Sequence, residues 1–559
     1  MMKCPINYFI GLFWVLFLLP APQWAAQAQN QKSPYTLQDT LRGSLNPERN
    51  GWNVLHYAID ITPDFKEKSL SGAVDIRFRV AYAFDRMQID LQEPMTIDRV
   101  TWNEKTVLFI REGNVFHLVF PQKFVAGNTE SVHIEFHGKP VIAKRPPWDG
   151  GWIFTSDKLG RPWMTVACQG LGASCWYPCK DHQSDKPDEG ASISITVPDT
   201  LKAVANGRLR EAFAVPDGKV TYKWVVENPI NTYNIVPYIG KYEHWDDLYK
   251  GEMGKLTCDY WVLDYEMPKA MVQFRQAHLM LKNFEFWFGP YPFYEDGYKL
   301  VQSPHLGMEH QSAIAYGNGF KNGYLGRDLS NTGWGLKWDF IIVHESGHEW
   351  FANNITTNDI ADMWVHEGFT NYSETLFTTS QYGVEAGNDY VIGTRRLIRN
   401  DQPIIGPYGV NKEGSGDMYY KGGNLLHTIR QLINDDAKFR KILRDMNLEF
   451  KHQSINSSTI EEYISTAAKL DLAPVFRQYL WTTQIPVLEY KIKENTIEYR
   501  WTNCTEGFTM KVKVRLNGKI IWLEPVETWN TYTFNATAIE NFEVDRNFYI
   551  NTRQAGLSP

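Results

Sequence analysis

The run His344-Glu345-Ser346-Gly347-His348 places two imidazoles four residues apart, with a carboxylate directly after the first. On a helix, residues i and i+4 lie on one face, so both rings can reach one metal ion. Glu345 falls close enough to activate a water on that metal, which is the mechanical content of H-E-x-x-H. A third donor is needed, and Glu367 in Trp364-Val365-His366-Glu367-Gly368 follows His348 by 19 positions. That separation is too long for the same helix face. Carried on a second, antiparallel helix, Glu367 completes the ligand set His344, His348 and Glu367 and leaves a fourth position for water. An open site of this kind is catalytic rather than structural, with one Zn2+ per chain.

These residues need a buried helix to hold them. Phe340-Ile341-Ile342-Val343 enters the motif as an apolar run and Trp350-Phe351 leaves it. Helical periodicity covers 335–353 and 362–381, and also 422–434, 436–450 and 457–468. Met267 to Phe286 reads as an amphipathic helix stopped by Gly289-Pro290. Upstream, from Trp52 to Tyr242, the pattern is short alternating runs such as Val74-Asp75-Ile76-Arg77-Phe78, broken by Gly, Pro and Asn. That is the signature of a large antiparallel β domain. After Gln484-Ile485-Pro486 the period returns to two, as in Ile497-Glu498-Tyr499-Arg500-Trp501.

A chain of 559 residues is too long for one core and divides into about three or four domains. The expected organisation is multidomain α+β. A signal peptide covers 1–28 and a linker 29–48. An N-terminal antiparallel β domain spans 49–245, a mostly helical zinc catalytic domain 246–485, and a small C-terminal β-sandwich 486–559. Lys3, the apolar stretch Tyr8 to Leu19 and Ala26-Gln27-Ala28 have the order of a secretory signal. The expected destination is periplasmic or secreted, with no stable membrane anchor after cleavage. A net charge of -7 gives no reason to expect nucleic acid as a partner. Five cysteines remain after cleavage, and the cluster Cys168, Cys175 and Cys179 is expected to supply a disulfide.

A further motif, Leu306-Gly307-Met308-Glu309-His310, follows the strand-like Tyr298-Lys299-Leu300-Val301-Gln302. An edge strand can hold a peptide by backbone pairing. A carboxylate at its end could then pair with a free α-ammonium and select the chain terminus. Here the sequence resembles the zinc aminopeptidases that include aminopeptidase N and the leukotriene hydrolase branch. Their pattern is H-E-x-x-H-x-W with a downstream N-E-G-F, preceded by G-x-M-E-N, and the match runs from about 50 to 485.

The resemblance implies a thermolysin-like catalytic domain, with His344, His348 and Glu367 as zinc ligands and Glu345 as general base. It implies that Glu309, with Gly307 and Met308, binds the substrate's amino terminus. Tyr419-Tyr420-Lys421-Gly422 matches a family segment whose tyrosine hydrogen-bonds the oxyanion, making Tyr419 the candidate and Tyr420 its decoy. Glu374 matches a carboxylate near the metal, and Gln169 a contact to the substrate's first residue. Leu306, His310 and His366 depart from the family pattern without removing a ligand. The chain resembles a short form that lacks the C-terminal helical domain of many relatives.

The expected function is an exported aminopeptidase that hydrolyses the N-terminal bond of peptides bearing a free amino terminus. Three rivals stand beside it: an endopeptidase of thermolysin type, a lipid epoxide hydrolase, and an inactive zinc-dependent binding protein. Oligomeric state is not legible.

Overall fold

The computed structural model describes residues 35–556, so the expected signal peptide and the start of the expected linker lie outside the described residues. The rest of that linker carries two short helices, Leu37–Gly43 and Pro47–Asn50.

Trp52–Asp64 runs through the middle of an eight-stranded sheet, with buried and exposed residues alternating along much of its length. It pairs antiparallel with Ser69–Val80 on one side. On the other side it pairs with Ala191–Pro198, and this pairing is parallel. The N-terminal β domain is therefore not purely antiparallel, as the alternation suggested. Parallel neighbours need a long crossover. The chain between these two strands supplies it, building a three-stranded sheet and half of a four-stranded one on the way.

A five-stranded sheet opens the catalytic region, in the order Tyr242–Gly251, Gly254–Leu263, Tyr298–Gln302, Ile314–Tyr316, Gly307–Met308. Tyr298–Gln302 is thus a central strand, and the edge is Gly307–Met308, directly before Glu309. The helix expected over Met267 to Phe286 is two helices, Met267–Gln273 and Gln276–Phe288. The motif helix is shorter than 335–353. It spans Phe340–Gly347, capped at its start by the Asp339 carboxylate, which accepts from Ile341 N and Ile342 N. Trp364–Tyr382, Tyr420–Ile433, Asp436–Glu449 and Ser457–Ala468 fall close to expectation. Two helices had no clear periodic signal, Val384–Thr394 with its two glycines and Ala473–Trp481 with its early proline.

The C-terminal strands form a four-stranded and a three-stranded sheet whose side chains meet, with the Tyr490 and Phe542 rings 4.5 Å apart. Their buried residues belong to the same hydrophobic core as the catalytic helices. Among the described residues no helix is long and apolar enough to cross a membrane. The expected disulfide is not formed: Cys168, Cys175 and Cys179 are buried free thiols, and Cys168 donates to the Tyr233 carbonyl at 3.4 Å.

Candidate active site

The helices Phe340–Gly347 and Trp364–Tyr382 bring His344, His348 and Glu367 together, with one ligating atom of each within 4.8 Å of the others. Glu367 Oε2 lies 3.3 Å from His348 Nε2 and 3.8 Å from His344 Nε2. The outer nitrogens fix what these inner atoms are. His344 Nδ1 meets the Glu374 carboxylate at 2.7 Å, and His348 Nδ1 meets the Phe351 carbonyl at 3.0 Å. Both partners only accept, so each Nδ1 carries the proton and each Nε2 presents a lone pair.

Glu367 Oε2 is buried and receives no hydrogen bond from the protein. Three acceptors thus converge on one point with no donor among them. Lone pairs so arranged repel unless a cation lies between them. The set of two imidazole nitrogens and a carboxylate oxygen fits Zn2+. The residues that orient a ligand are present too: Glu374 is itself held by Tyr390 OH at 2.6 Å and Asn371 Nδ2 at 3.2 Å.

His348 sits one residue beyond the helix, at its C-cap, still in a right-handed conformation. The helix expected to continue to 353 ends there because the chain turns under the imidazole, presenting the Phe351 carbonyl to it. Glu345 is buried in the cleft. Burial pushes its carboxyl up to about 7, against the opposing pull of His344 and His348. Gly307 faces it closely: a Cβ there would meet Glu345 Oε1 at 2.6 Å and Ile341 Cδ1 at 2.8 Å. Only glycine lets the edge strand pass this near the carboxylate.

Glu309 leaves that strand into the cleft and is 3% exposed. Its Oε1 accepts from Gln169 Nε2 at 2.6 Å and from Tyr233 OH at 2.9 Å. Burial raises its carboxyl above the usual range. Gln169, singled out from the sequence, is therefore at the site. Tyr233 was not singled out, since nothing in Asn231-Thr232-Tyr233-Asn234 carries a chemical spacing.

Tyr419 precedes the helix Tyr420–Ile433, and its ring lies nearly parallel to that of His344, centroids 6.1 Å apart. Burial and the nearby Glu367 carboxylate hold its phenol well above the ordinary value, so it stays a donor. Tyr420 also lines the cleft, but the carboxylate it faces is Glu374. Two glycines set this register. A Cβ on Gly422 would meet Gly368 Cα at 3.0 Å, so the two helices cross almost backbone to backbone just behind Tyr419.

His344, His348, Glu367, Glu345, Glu309, Gln169, Glu374 and Tyr419 line one cleft of about 840 Å3, with Gly307, Met308, Leu306 and the exposed Trp148 on its walls. Glu413, a carboxylate the sequence reading did not single out, lines it too. Two of the departures from the family pattern are structural. His310 is buried against Tyr238 OH at 2.6 Å, and His366 Nε2 accepts from Thr357 N at 2.9 Å.

The sequence profile for the Peptidase M1 N-terminal domain matches residues 53–234, and that for the Peptidase family M1 domain matches 290–479, together more than half of the chain. The chain belongs to peptidase family M1. "Probable aminopeptidase 1" of Saccharolobus solfataricus is 22% identical over 77% of this chain and 55% of its own length. Leukotriene A-4 hydrolase of Xenopus laevis is 20% identical over 83% of this chain and 77% of its own. The chain therefore spans about half the length of the first of these M1 relatives and about three quarters of the second. The crystal structure of an M1 zinc metallopeptidase from Deinococcus radiodurans shares the fold, with TM-score 0.64, 21% identity, and coverage of 78% of this chain and 95% of that one.

Proposed function

We propose that this M1 protein is a zinc-dependent aminopeptidase and that it is exported, the latter on the strength of the signal-like residues 1–28. The observation that carries the activity is Glu309: a buried carboxylate beside the three converging acceptors, held by Gln169 and Tyr233 with one oxygen left for a ligand. An α-ammonium there would gain charge-assisted hydrogen bonds.

His344, His348 and Glu367 would hold the zinc. When bound, the ion supplies a Lewis acid that polarises a carbonyl and lowers the pKa of water. Glu345 takes the proton of the attacking water and passes it to the leaving amine, a shuttle for which a carboxyl raised toward neutrality is suited. Tyr419 donates its hydroxyl proton in a hydrogen bond to the oxyanion. Glu309 fixes the amino terminus, so the first peptide bond is the one placed beside Glu345 and Tyr419. The leucine and methionine walls, Leu306 and Met308, accompany the first side chain.

The test compares free and N-acetylated aminoacyl amides, before and after chelation and after zinc is restored. Hydrolysis confined to the free amines and restored by zinc is expected. Cleavage inside an acetylated peptide as fast as its free counterpart would replace this reading with the endopeptidase one.

A further inference from the structure

A second cluster of metal-ligating side chains lies away from the cleft, at the opposite edge of the five-stranded sheet from Gly307–Met308. Asp247 on the edge strand Tyr242–Gly251 stands directly across from Cys258 on Gly254–Leu263. His278, on the helix Gln276–Phe288, reaches down to them, its Nε2 2.8 Å from Asp247 Oδ1. A carboxylate oxygen, the Cys258 sulfur and a ring nitrogen all lie within 4.8 Å of one another. Together the hairpin and the helix supply three donors from three rigid segments.

Asp247 is exposed, on the same strand phase as Trp245, stacked on Tyr260 at 4.9 Å, and Tyr249, whose ring meets His278 edge-on at 5.5 Å. The exposed Asp247 carboxylate sits over the buried Cys258 thiol. The surrounding hydroxyls fix the donors: Tyr260 OH points to Asp247 Oδ1 at 3.4 Å, and Tyr249 is anchored to Glu285 at 3.0 Å. Asp247 is exposed and His278 partly exposed, which gives an ion a path in and leaves room for a solvent ligand.

We propose that Asp247, Cys258 and His278 form a second metal site, for a borderline divalent cation of the zinc type, that staples the hairpin Tyr242–Leu263 to the helix Gln276–Phe288. The mixed carboxylate, thiolate and imidazole set selects such an ion over magnesium or calcium, which take oxygen ligands. Binding replaces the thiol proton: the S–H bond breaks, the proton leaves to solvent, and the sulfur keeps the electron pair for the metal. Burial, and then the Asp247 carboxylate, hold this thiol above its ordinary range, so the proton stays on until an ion displaces it. The inference is independent of the peptidase reading, since none of the three residues touches the cleft set.

Cobalt(II) is the probe, added to the full chain after chelation, because a thiolate ligand gives cobalt a near-ultraviolet charge-transfer band that imidazole and carboxylate do not. The wild type should bind two equivalents and show the band. His344→Ala should bind one and keep the band. Cys258→Ser should lose the band and retain peptidase activity. His278→Ala, a change at a half-exposed position, should weaken the band's titration at least tenfold and guards against misfolding of the cysteine variant. One equivalent with no band in the wild type, or a band that survives in Cys258→Ser, would overturn the proposal.

Discussion

Replacing Glu309 by Gln removes a charge while keeping the side chain's shape and its contacts to Gln169 and Tyr233. The carboxylate is 3% exposed, so solvent does little to screen it from a substrate ammonium. A hydrogen bond to a charged group contributes roughly 1.5–3 kcal/mol. At about 1.4 kcal/mol for each factor of ten, kcat/KM on free aminoacyl amides should fall roughly 10- to 150-fold. The loss should reach kcat as well as KM, because the same contact sets the position of the scissile carbonyl. N-acetylated substrates carry no such charge, so their slow turnover should be unchanged. The assay is the ratio of free to capped kcat/KM in the two proteins. A variant in which both substrates lose equally would show that Glu309 shapes the cleft without reading the amino terminus, and the aminopeptidase argument would fail.

The remaining predictions concern the groups around the metal. Tyr419→Phe should lower kcat by about 10²–10³ with KM nearly unchanged, and Tyr420→Phe should be mild; steady-state kinetics giving the reverse would move the oxyanion donor by one residue. Glu374→Gln should weaken zinc binding by about 10- to 100-fold, because His344 loses the charged acceptor that fixes its tautomer and raises its basicity; a competition titration with a chromophoric chelator measures it, and unaltered affinity would refute the role. Glu345→Gln should keep one equivalent of zinc at the cleft by metal analysis and lose turnover. In the wild type kcat/KM should fall with acid as Glu345 takes a proton, with a midpoint at or below about 7 because the metal's charge lowers a carboxyl that burial alone has raised. An acid limb that persists unchanged in a Glu345→Asp variant with residual activity would assign it to another group.

The ligand set was legible because its information is local. Two histidines at i and i+4 and a glutamate on the next helix carry their geometry in their spacing, and Gly307 and Glu309 came with a motif. What supports them was not legible. Tyr233 reaches Glu309 from 76 positions away and Tyr390 reaches Glu374 from 16, and a tyrosine in an unremarkable context announces neither role. The end of the motif helix at Gly347 escaped notice for a related reason: apolar periodicity continues through Trp350-Phe351, while the backbone turns to bring a carbonyl under His348. The parallel pairing of Trp52–Asp64 with Ala191–Pro198 is likewise a matter of what the intervening chain does, since alternation is the same for either direction. The expected disulfide is not formed even though the Cys168 and Cys175 thiols hydrogen-bond to each other, so nearness of the sulfurs alone did not decide it.

The cleft's electrostatics explain why binding and folding should be coupled in this protein. Glu309 and Glu345 are both buried and both raised, so the protein's own groups favour their neutral forms. Glu367 lies beside them with an oxygen that no donor satisfies. Leaving such groups together costs stability unless positive charge joins them. The proposed reaction would bring two positive charges, a divalent metal at Glu367 and an ammonium at Glu309, and each would lower the carboxyls it faces. Anything that binds the folded chain alone also stabilises it, by about 2.7 kcal/mol at a hundredfold excess over Kd. On the proposed reading, the arrangement that makes these buried carboxyls costly is the one that would make metal and amino terminus bind, and thermal stability should track zinc occupancy for the same electrostatic reason that activity does.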